Sequence, residues 1–305
     1  MEDKILIVGS GAMATLFAAR LSAGGIRVSI LGTWREGLDA FKKNGAGITD
    51  ADGSEHFFPV VTLSPDEQQE KFHYAIVLVK SWQTCKASSA LADWLEPEGK
   101  CLTLQNGLGN RECLEEYLGS NRVIMGVTTI GGTLLAPGRV SAGGEGIITI
   151  EKQAGVEALI QMLNKAGFET RLVDDAKSLI WGKLVINAAI NPLSAILNVK
   201  NGQLLKNTDA NTLMDELSLE TSAVANALGI KLPYDDPAAE SRKVAERTAS
   251  NRSSMLQDIQ RGAPTEIEAI NGTIWNLGKE LGVPTPANEM MTRLIRAMVW
   301  KTSTD

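Results

Sequence analysis

Lys4-Ile5-Leu6-Ile7-Val8 is a short apolar run of strand length that ends in Gly9-Ser10-Gly11-Ala12-Met13-Ala14. A helix-period pattern (Leu16, Phe17, Ala19, Arg20, Leu21) follows as far as Gly24-Gly25, and a second apolar run, Val28-Ser29-Ile30-Leu31, comes next. Strand, glycine turn, helix and strand in this order leave few folds open, because two parallel strands need a crossover of helix length between them. Gly9 permits the tight turn, Gly11 lets backbone approach a pyrophosphate, and Ala14 stands where the motif often has a third glycine. The helix start adds N–H groups and a dipole that favour phosphate. Gly9, Ser10, Gly11, Ala12, Met13 and Ala14 are therefore candidate cofactor-binding residues.

Further strands are expected at Tyr74-Ala75-Ile76-Val77-Leu78-Val79, Cys101-Leu102-Thr103-Leu104 and Val123-Ile124-Met125-Gly126-Val127, with a hairpin-like stretch from Arg139 to Ile150. Strands interleaved with helices imply an α/β fold with a doubly wound, mostly parallel Rossmann-type sheet. From about Asp174 the pattern changes to long helices with no convincing strand, broken at Asn191-Pro192, Asn201-Gly202, Leu232-Pro233 and Gly262-Ala263-Pro264. The expected organisation is a nucleotide-binding domain over residues 1–173 and an all-helical C-terminal domain over 174–305.

The end of the second strand bears on which dinucleotide is taken. An NAD-preferring turn usually carries a carboxylate about 20 residues beyond the glycines. Here Leu31 is followed by Gly32, Thr33, Trp34 and Arg35, and Glu36 lies beyond the turn. A guanidinium and a hydroxyl suit a ribose 2′-phosphate, so Arg35 and Thr33 are candidate contacts, Trp34 an adenine neighbour, and NADP(H) the expected cofactor. Lys80 and Asn106 follow the strands at Ile76 and Leu102, where strand ends face the ligand in such sheets.

The second half contains one conspicuous helix-length segment, Leu179 to Ile196. It is apolar almost throughout, yet it carries Lys183, Asn187 and Asn191 at four-residue steps, on one helical face. Between Lys177 and Lys200 no charged residue other than Lys183 occurs, unlike a solvated face, which mixes both signs. Burying two amides and an ammonium would cost several kcal/mol, roughly 1–3 per unpaired amide, unless something hydrogen-bonds them. A polar ligand answers that description.

Composition excludes other classes. A formal net charge of −6 and the lack of a basic stripe argue against a nucleic-acid surface. Uninterrupted apolar runs fall short of the roughly 18–20 residues of a membrane span, and the start of the chain has no signal-peptide pattern, so a cytoplasmic protein with no membrane partner is expected. Cys85, Cys101 and Cys113 suggest neither a disulfide framework nor a zinc site, and no metal is expected. His56 and His73 are the only histidines, which leaves few candidates for a histidine general base. Whether the chain pairs as a homodimer is open.

With these residues in view, the chain resembles the ketopantoate reductase family over nearly its full length. The resemblance rests on the glycine turn, Val79-Lys80-Ser81-Trp82-Gln83, Gln105-Asn106-Gly107-Leu108-Gly109, Met125-Gly126-Val127-Thr128-Thr129, Trp181-Gly182-Lys183-Leu184-Val185-Ile186-Asn187, Asn191-Pro192-Leu193-Ser194-Ala195, Asn201-Gly202, Ser253-Ser254-Met255-Leu256-Gln257-Asp258 and Thr265-Glu266-Ile267-Glu268. It implies NADPH-dependent reduction of 2-dehydropantoate to (R)-pantoate, on the route to pantothenate and coenzyme A, with a small 2-keto acid as the partner. It makes Lys183 the proton donor and places Asn187, Asn191, Asn201, Asn251, Ser253 and Ser254 around the substrate. Glu266 would lie near Lys183 and the cofactor ribose, while Lys80, Asn106 and the backbone around Gly132 would touch the cofactor. Some members have arginine where Thr33 stands.

The chemistry agrees with these roles. Reduction of a 2-keto acid needs a hydride on C2 and a proton on the carbonyl oxygen; an ammonium stabilises the incipient alkoxide and then protonates it. Asn187 and Asn191 can bond substrate oxygens without changing the charge, and Ser254 can receive the carboxylate. Thr265 and Glu268 fit a capping box at a helix start, which leaves Glu266 available. Competing readings are a D-2-hydroxyacid dehydrogenase for bulky or branched 2-keto acids, a beta-hydroxyacid dehydrogenase, and a non-catalytic dinucleotide sensor.

Overall fold

The computed structural model describes residues 3–50, 52–63 and 70–302. Two compact units emerge, one from Met1–Gln105 with Gly109–Ala176, the other from Asn106–Leu108 with Lys177–Asp305. Three residues of the loop after a central strand thus pack with the second unit.

The first unit carries strands β1 (Lys4–Val8), β2 (Arg27–Leu31), β3 (Ala46–Thr49), β4 (Glu55–Phe58), β5 (Val61–Leu63), β6 (Phe72–Val77), β7 (Leu95–Thr103), β8 (Val123–Thr128), β9 (Gly132–Ala136), β10 (Arg139–Ala142), β11 (Ile147–Glu151) and β12 (Glu169–Val173). Its helices are α1 (Ala12–Ala23), α2 (Arg35–Asn44), α3 (Thr84–Ala92), α4 (Asn110–Leu118) and α5 (Glu157–Lys165). Eight strands form one sheet in the order β12-β11-β8-β7-β6-β1-β2-β5, in which only the β8–β11 pair is antiparallel. The continuous apolar run of β1 is explained by burial on both faces. Ile5 and Ile7 pack with Leu16 and Phe17 of α1, whereas Leu6 and Val8 pack with Leu91 of α3 and Leu114 of α4.

The expected hairpin from Arg139 to Ile150 is not formed. The hairpin instead joins β9 to β10 through Pro137-Gly138, with Gly138 at φ 70. The chain then leaves this small sheet, ordered β4-β3-β10-β9, and β11 enters the large one beside β8. Gly143 and Gly146 allow this path: a Cβ would lie 2.9 Å from Gly131 O at the first and 2.8 Å from the Ile130 nitrogen at the second, so the crossing segment passes too close to its neighbour for side chains there. A second correction concerns the thiols. Helices α3 and α4 lie side by side and bring Cys85 and Cys113 together as a disulfide, with Cα atoms 4.9 Å apart. Cys101 is free and buried, and burial pushes its thiol up to about 12.

The second unit is helical: α6 (Lys177–Leu197), α7 (Thr208–Ala227), α8 (Pro237–Arg247), α9 (Ser254–Gln260), α10 (Thr273–Leu281) and α11 (Pro286–Thr302). A 3-10 segment (Asn201–Lys206) precedes α7, and a π turn (Glu268–Gly272) leads into α10. Helix α6 is central, which is why its sequence is apolar on nearly every side. Trp181, Leu184, Val185 and Ala188 enter one core cluster with Val224, Ile270 and Ile295, while Ala189, Ile190 and Leu193 enter another with Met214 and Leu217. By length and composition α6 could cross a membrane, but most of it is buried in the protein. Side-chain caps begin its neighbours: Asn207, Asp236 and Ser253 each accept a first-turn N–H, of α7, α8 and α9.

The expected break at Asn191-Pro192 does not occur, and α6 runs through Pro192. Proline in a helix interior removes one hydrogen bond and leaves a carbonyl one turn back without its partner, at a cost of about 3 kcal/mol. That carbonyl is Ala188 O, and the buried Asn271 side chain donates to it at 3.0 Å. The expected capping box is also absent. The π turn starts with no side-chain cap, and Glu268 instead accepts two hydrogen bonds from Arg296 on α11.

Candidate active site

The glycine turn occupies the point in the sheet between β1 and β6 where the strand order reverses. Gly9 N–H donates to Leu31 O (2.8 Å) and Leu78 N–H to Val8 O (2.9 Å), so the ends of β1, β2 and β6 are held together. Gly9 has φ 125, and a Cβ there would lie 3.1 Å from the Leu78 carbonyl carbon; no other residue fits. Gly11 caps α1 without any side-chain hydrogen bond, and a Cβ added to it would meet nothing within 4 Å. The first turn of α1, with Ala12, Met13 and Ala14, therefore presents N–H groups beside open space, and no acidic residue stands in that turn. These residues fit a dinucleotide pyrophosphate.

Ser10 is buried against Gly32, and beyond it Thr33 and Arg35 are exposed, with Arg35 in the first turn of α2. The Trp34 ring folds back over Gly37, where a Cβ would lie 2.5 Å from a ring carbon. Lys80 is half-buried at the start of the 3-10 turn Ser81–Gln83. Gly132 opens β9, and its lack of a side chain is accounted for by Val140, 3.0 Å from where a Cβ would sit.

In the second unit Lys183, Asn187 and Asn191 share one face of α6, about 12 Å from first to last along the axis. Asn106, from the loop that packs with this unit, joins the face to a buried carboxylate. Asn187 Nδ2 donates to Asn106 Oδ1 at 3.5 Å, and Asn106 Nδ2 donates to Glu266 Oε2 at 3.4 Å. Glu266 is 6% exposed. Farther along the helix Asn191 Nδ2 donates to Ser254 Oγ at 3.5 Å. All three contacts sit at the long limit for hydrogen bonds, so a ligand oxygen at ordinary distance would compete well for the same donors.

Burial lowers the Lys183 pKa from 10.5 to about 8, and the negative charge of Glu266 opposes the fall. A pKa of 8 leaves about nine-tenths of the amine protonated at pH 7, so it is charged and yet ready to give up its proton. The backbone just before Lys183 is held too. Tyr234 OH donates to Gly182 O at 2.7 Å, and Pro233 lies over Gly182, where a Cβ would be 2.8 Å from the proline ring.

The remaining expected substrate contacts have structural duties. Ser253 is buried; its hydroxyl caps α9 through Leu256 N–H and accepts from Ser194 Oγ at 2.7 Å. Asn201 donates through Nδ2 to Thr248 Oγ1 (2.9 Å) and through its backbone to Asn251 O (3.0 Å), tying down the loop before α9; its buried Oδ1 has no partner. Asn251 is exposed. Lys183, Asn187, Asn106 and Glu266 thus form one cluster, with Asn191 and Ser254 as a neighbouring pair. Sequence reasoning assigned Asn106 to the cofactor alone and overlooked Asn271. Pro192 was the available signal, because a proline inside a helical pattern demands an outside donor.

Fold and site together define a Rossmann-type nucleotide-binding protein whose helical second unit presents a half-buried lysine beside a carboxylate and amides. Residues 5–155 match the family described as ketopantoate reductase PanE/ApbA, and residues 175–299 match its C-terminal counterpart. The 2-dehydropantoate 2-reductase of Archaeoglobus fulgidus is 35% identical over 301 residues, 97% of this chain and 98% of the relative. A PanE/ApbA family ketopantoate reductase from Ralstonia eutropha superposes with a TM-score of 0.91 at 30% identity, covering 98% and 99% of the two chains. A ternary structure of D-mandelate dehydrogenase with NADH and anilino(oxo)acetate does so at 0.91 and 27%, covering 99% and 100%. The chain belongs to the ketopantoate reductase family and is an oxidoreductase built to hold a nicotinamide dinucleotide.

Proposed function

We propose that the protein reduces 2-dehydropantoate to (R)-pantoate with NADPH. The observation that carries this reading is the Lys183 ammonium, with Glu266 beside it, on a polar face lined by Asn106, Asn187 and Asn191, in a chain whose full-length relatives are 2-dehydropantoate 2-reductases.

The dinucleotide, when bound at Gly9–Ala14, supplies a hydride to the carbonyl carbon of the keto acid. Lys183 Nζ donates a hydrogen bond to the carbonyl oxygen, stabilises the negative charge that builds there and passes its proton to it. The lysine, now neutral, recovers a proton from solvent before the next turnover, so one hydride and one proton are consumed per hydroxy acid formed. Glu266 holds Lys183 in its charged form. Asn187 and Asn191 donate to substrate oxygens, and Ser254 at the start of α9 receives the carboxylate with help from the helix N-terminus. Arg35 and Thr33, with no carboxylate immediately after β2, favour a 2′-phosphate and hence NADPH over NADH. A cytoplasmic location goes with this reading, since the reduced dinucleotide is drawn from the cytoplasmic pool.

A second reading, an NADH-linked D-2-hydroxyacid dehydrogenase, is favoured by the likeness to D-mandelate dehydrogenase with NADH. The test is oxidation of NADPH or NADH, followed by absorbance, with 2-dehydropantoate, 2-ketoisovalerate and benzoylformate. Fast turnover of 2-dehydropantoate with NADPH is expected. Fast benzoylformate turnover with slow 2-dehydropantoate turnover would establish the second reading instead, and no turnover of any would leave a dinucleotide sensor.

A further inference from the structure

In the second unit, a connected chain of polar groups that the reaction does not use runs from α7 through α11 to α6. Glu220 on α7 accepts from Ala287 N–H (2.8 Å), Asn288 N–H (2.9 Å) and Asn288 Nδ2 (2.8 Å), capping α11. Asn271 Nδ2 then donates to both Asn288 Oδ1 and Ala188 O, each at 3.0 Å. Asn271 and Asn288 are fully buried.

The direction of every bond in this chain is set by chemistry. The Glu220 oxygens accept two backbone N–H groups and the Asn288 side-chain amide, so Asn288 turns its NH2 to Glu220 and its oxygen to Asn271. Asn271 therefore points its NH2 at two acceptors, and its own Oδ1 is left buried without a partner. A buried acceptor without a donor is unfavourable, which makes the orientation of Asn271 costly to keep and informative about its use.

What Asn271 joins is more telling. It sits in the π turn Glu268–Gly272, where Gly272 N–H reaches five residues back to Ile267 O at 2.9 Å. Such turns add a residue to a helical path and re-aim what precedes them. What precedes this one is Glu266, whose carbonyl accepts from Ile270 N–H at 3.1 Å. The same turn accepts Leu108 N–H at Ala269 O (2.9 Å), and a Cβ on Gly107 would lie 2.5 Å from that oxygen, so the loop bearing Asn106 is fastened to it. The turn therefore carries both Glu266 and Asn106, and the bond from Asn271 to the Pro192 gap attaches it to the helix that carries Lys183 and Asn187.

We propose that Asn271, oriented by Asn288 and Glu220, is a positioning residue for proton transfer: by filling the carbonyl that Pro192 leaves open, it sets the π turn bearing Glu266 against the helix bearing Lys183. The inference rests on reading Lys183 and Glu266 as the proton-donating pair. Glu266 is the charged group acting on Lys183; the other side chains of the cluster, Asn106 and Asn187, carry no charge. With the turn displaced, Glu266 supports the ammonium less and Lys183 loses its proton at lower pH.

The test uses Asn271→Ala alone and combined with Pro192→Ala, which supplies an N–H able to bond Ala188 O. For Asn271→Ala, kcat with 2-dehydropantoate is expected to fall about 10- to 100-fold, the scale of a sub-ångström to 1 Å misplacement, with KM for NADPH unchanged and the alkaline limb of kcat/KM moved to lower pH. In the double variant the melting temperature recovers while the limb stays displaced. A limb that does not move in Asn271→Ala, or that returns when Pro192→Ala is added, would overturn the proposal, because Asn271 would then only satisfy a carbonyl. Should Asn271→Ala fail to fold, the double variant and Asn288→Ala, one bond removed from the carbonyl, are held to the same limb shift. Competitive acetylation of Lys183 against pH, without substrate, reads the same displacement independently. It separates failure of the positioning role from failure of the assigned reaction.

Discussion

The two units handle polar groups in opposite ways. In the first, the candidate functional groups at the glycine turn are backbone N–H donors at the start of α1, beside Gly11, where a Cβ would meet nothing within 4 Å. In the second, they are side chains on an apolar helix, and each needs a partner to be tolerated there. A backbone site grips the pyrophosphate that every dinucleotide shares, and the choice between NADPH and NADH would fall to side chains such as Arg35 and Thr33. A side-chain site sets protonation and substrate. The comparison teaches that nucleotide binding and reaction chemistry can be broken separately.

The largest separation is expected from Lys183→Met. Loss of the proton donor should lower kcat by about 10²–10⁴, the usual scale for a general acid, while cofactor affinity, measured by quenching or enhancement of dinucleotide fluorescence, stays within about twofold of the parent. Equal losses in kcat and cofactor affinity would mean that the two sites are one. Arg35→Ala probes the other side with a smaller effect. NADPH binding should weaken about tenfold, as for one charge-assisted contact at an exposed site, with NADH binding unchanged. Equal weakening for both cofactors would remove Arg35 from recognition of the 2′-phosphate.

The smallest effect is on stability and follows from linkage. Lys183 has a folded pKa of about 8, below its unfolded value of 10.5, so between these limits the unfolded chain binds more protons and the parent gains stability as pH rises. Lys183→Met carries no such burden. It should melt above the parent at pH 7, by a shift in which each kcal/mol corresponds to about 2–4 °C, and the gap should close between pH 8 and 10.5. A gap independent of pH would show that burial of the ammonium costs nothing.

The same contrast explains what could be read from the residues alone. Gly9 to Ala14 is a local device whose meaning depends on a strand before it and a helix after it, both visible in the sequence. Lys183, Asn187 and Asn191 were legible because polar residues at helical spacing stand out in an apolar segment. Their partners were not. Asn106 meets Glu266 across 160 residues and Asn187 across 81, and no periodicity reports such pairings. Pro192 was read as a helix stop because its rescuer, Asn271, lies 83 residues from the carbonyl it serves. Ser253 and Asn201 are placed at the substrate by the family resemblance alone, and the hydrogen bonds they make run to a helix cap, to Ser194 and to the loop before α9. Cys85 and Cys113 became partners only once α3 and α4 were packed side by side.

Whether a half-buried ammonium kept charged by a carboxylate protonates the keto oxygen is tested by the pH dependence of kcat/KM for 2-dehydropantoate under saturating NADPH, in the parent and in Glu266→Gln. Activity is expected to be level through neutral pH and to fall above about 8, where Lys183 loses its proton, with the fall moved to lower pH in Glu266→Gln. A profile that stays level to pH 10, or one that Glu266→Gln leaves in place, would contradict it.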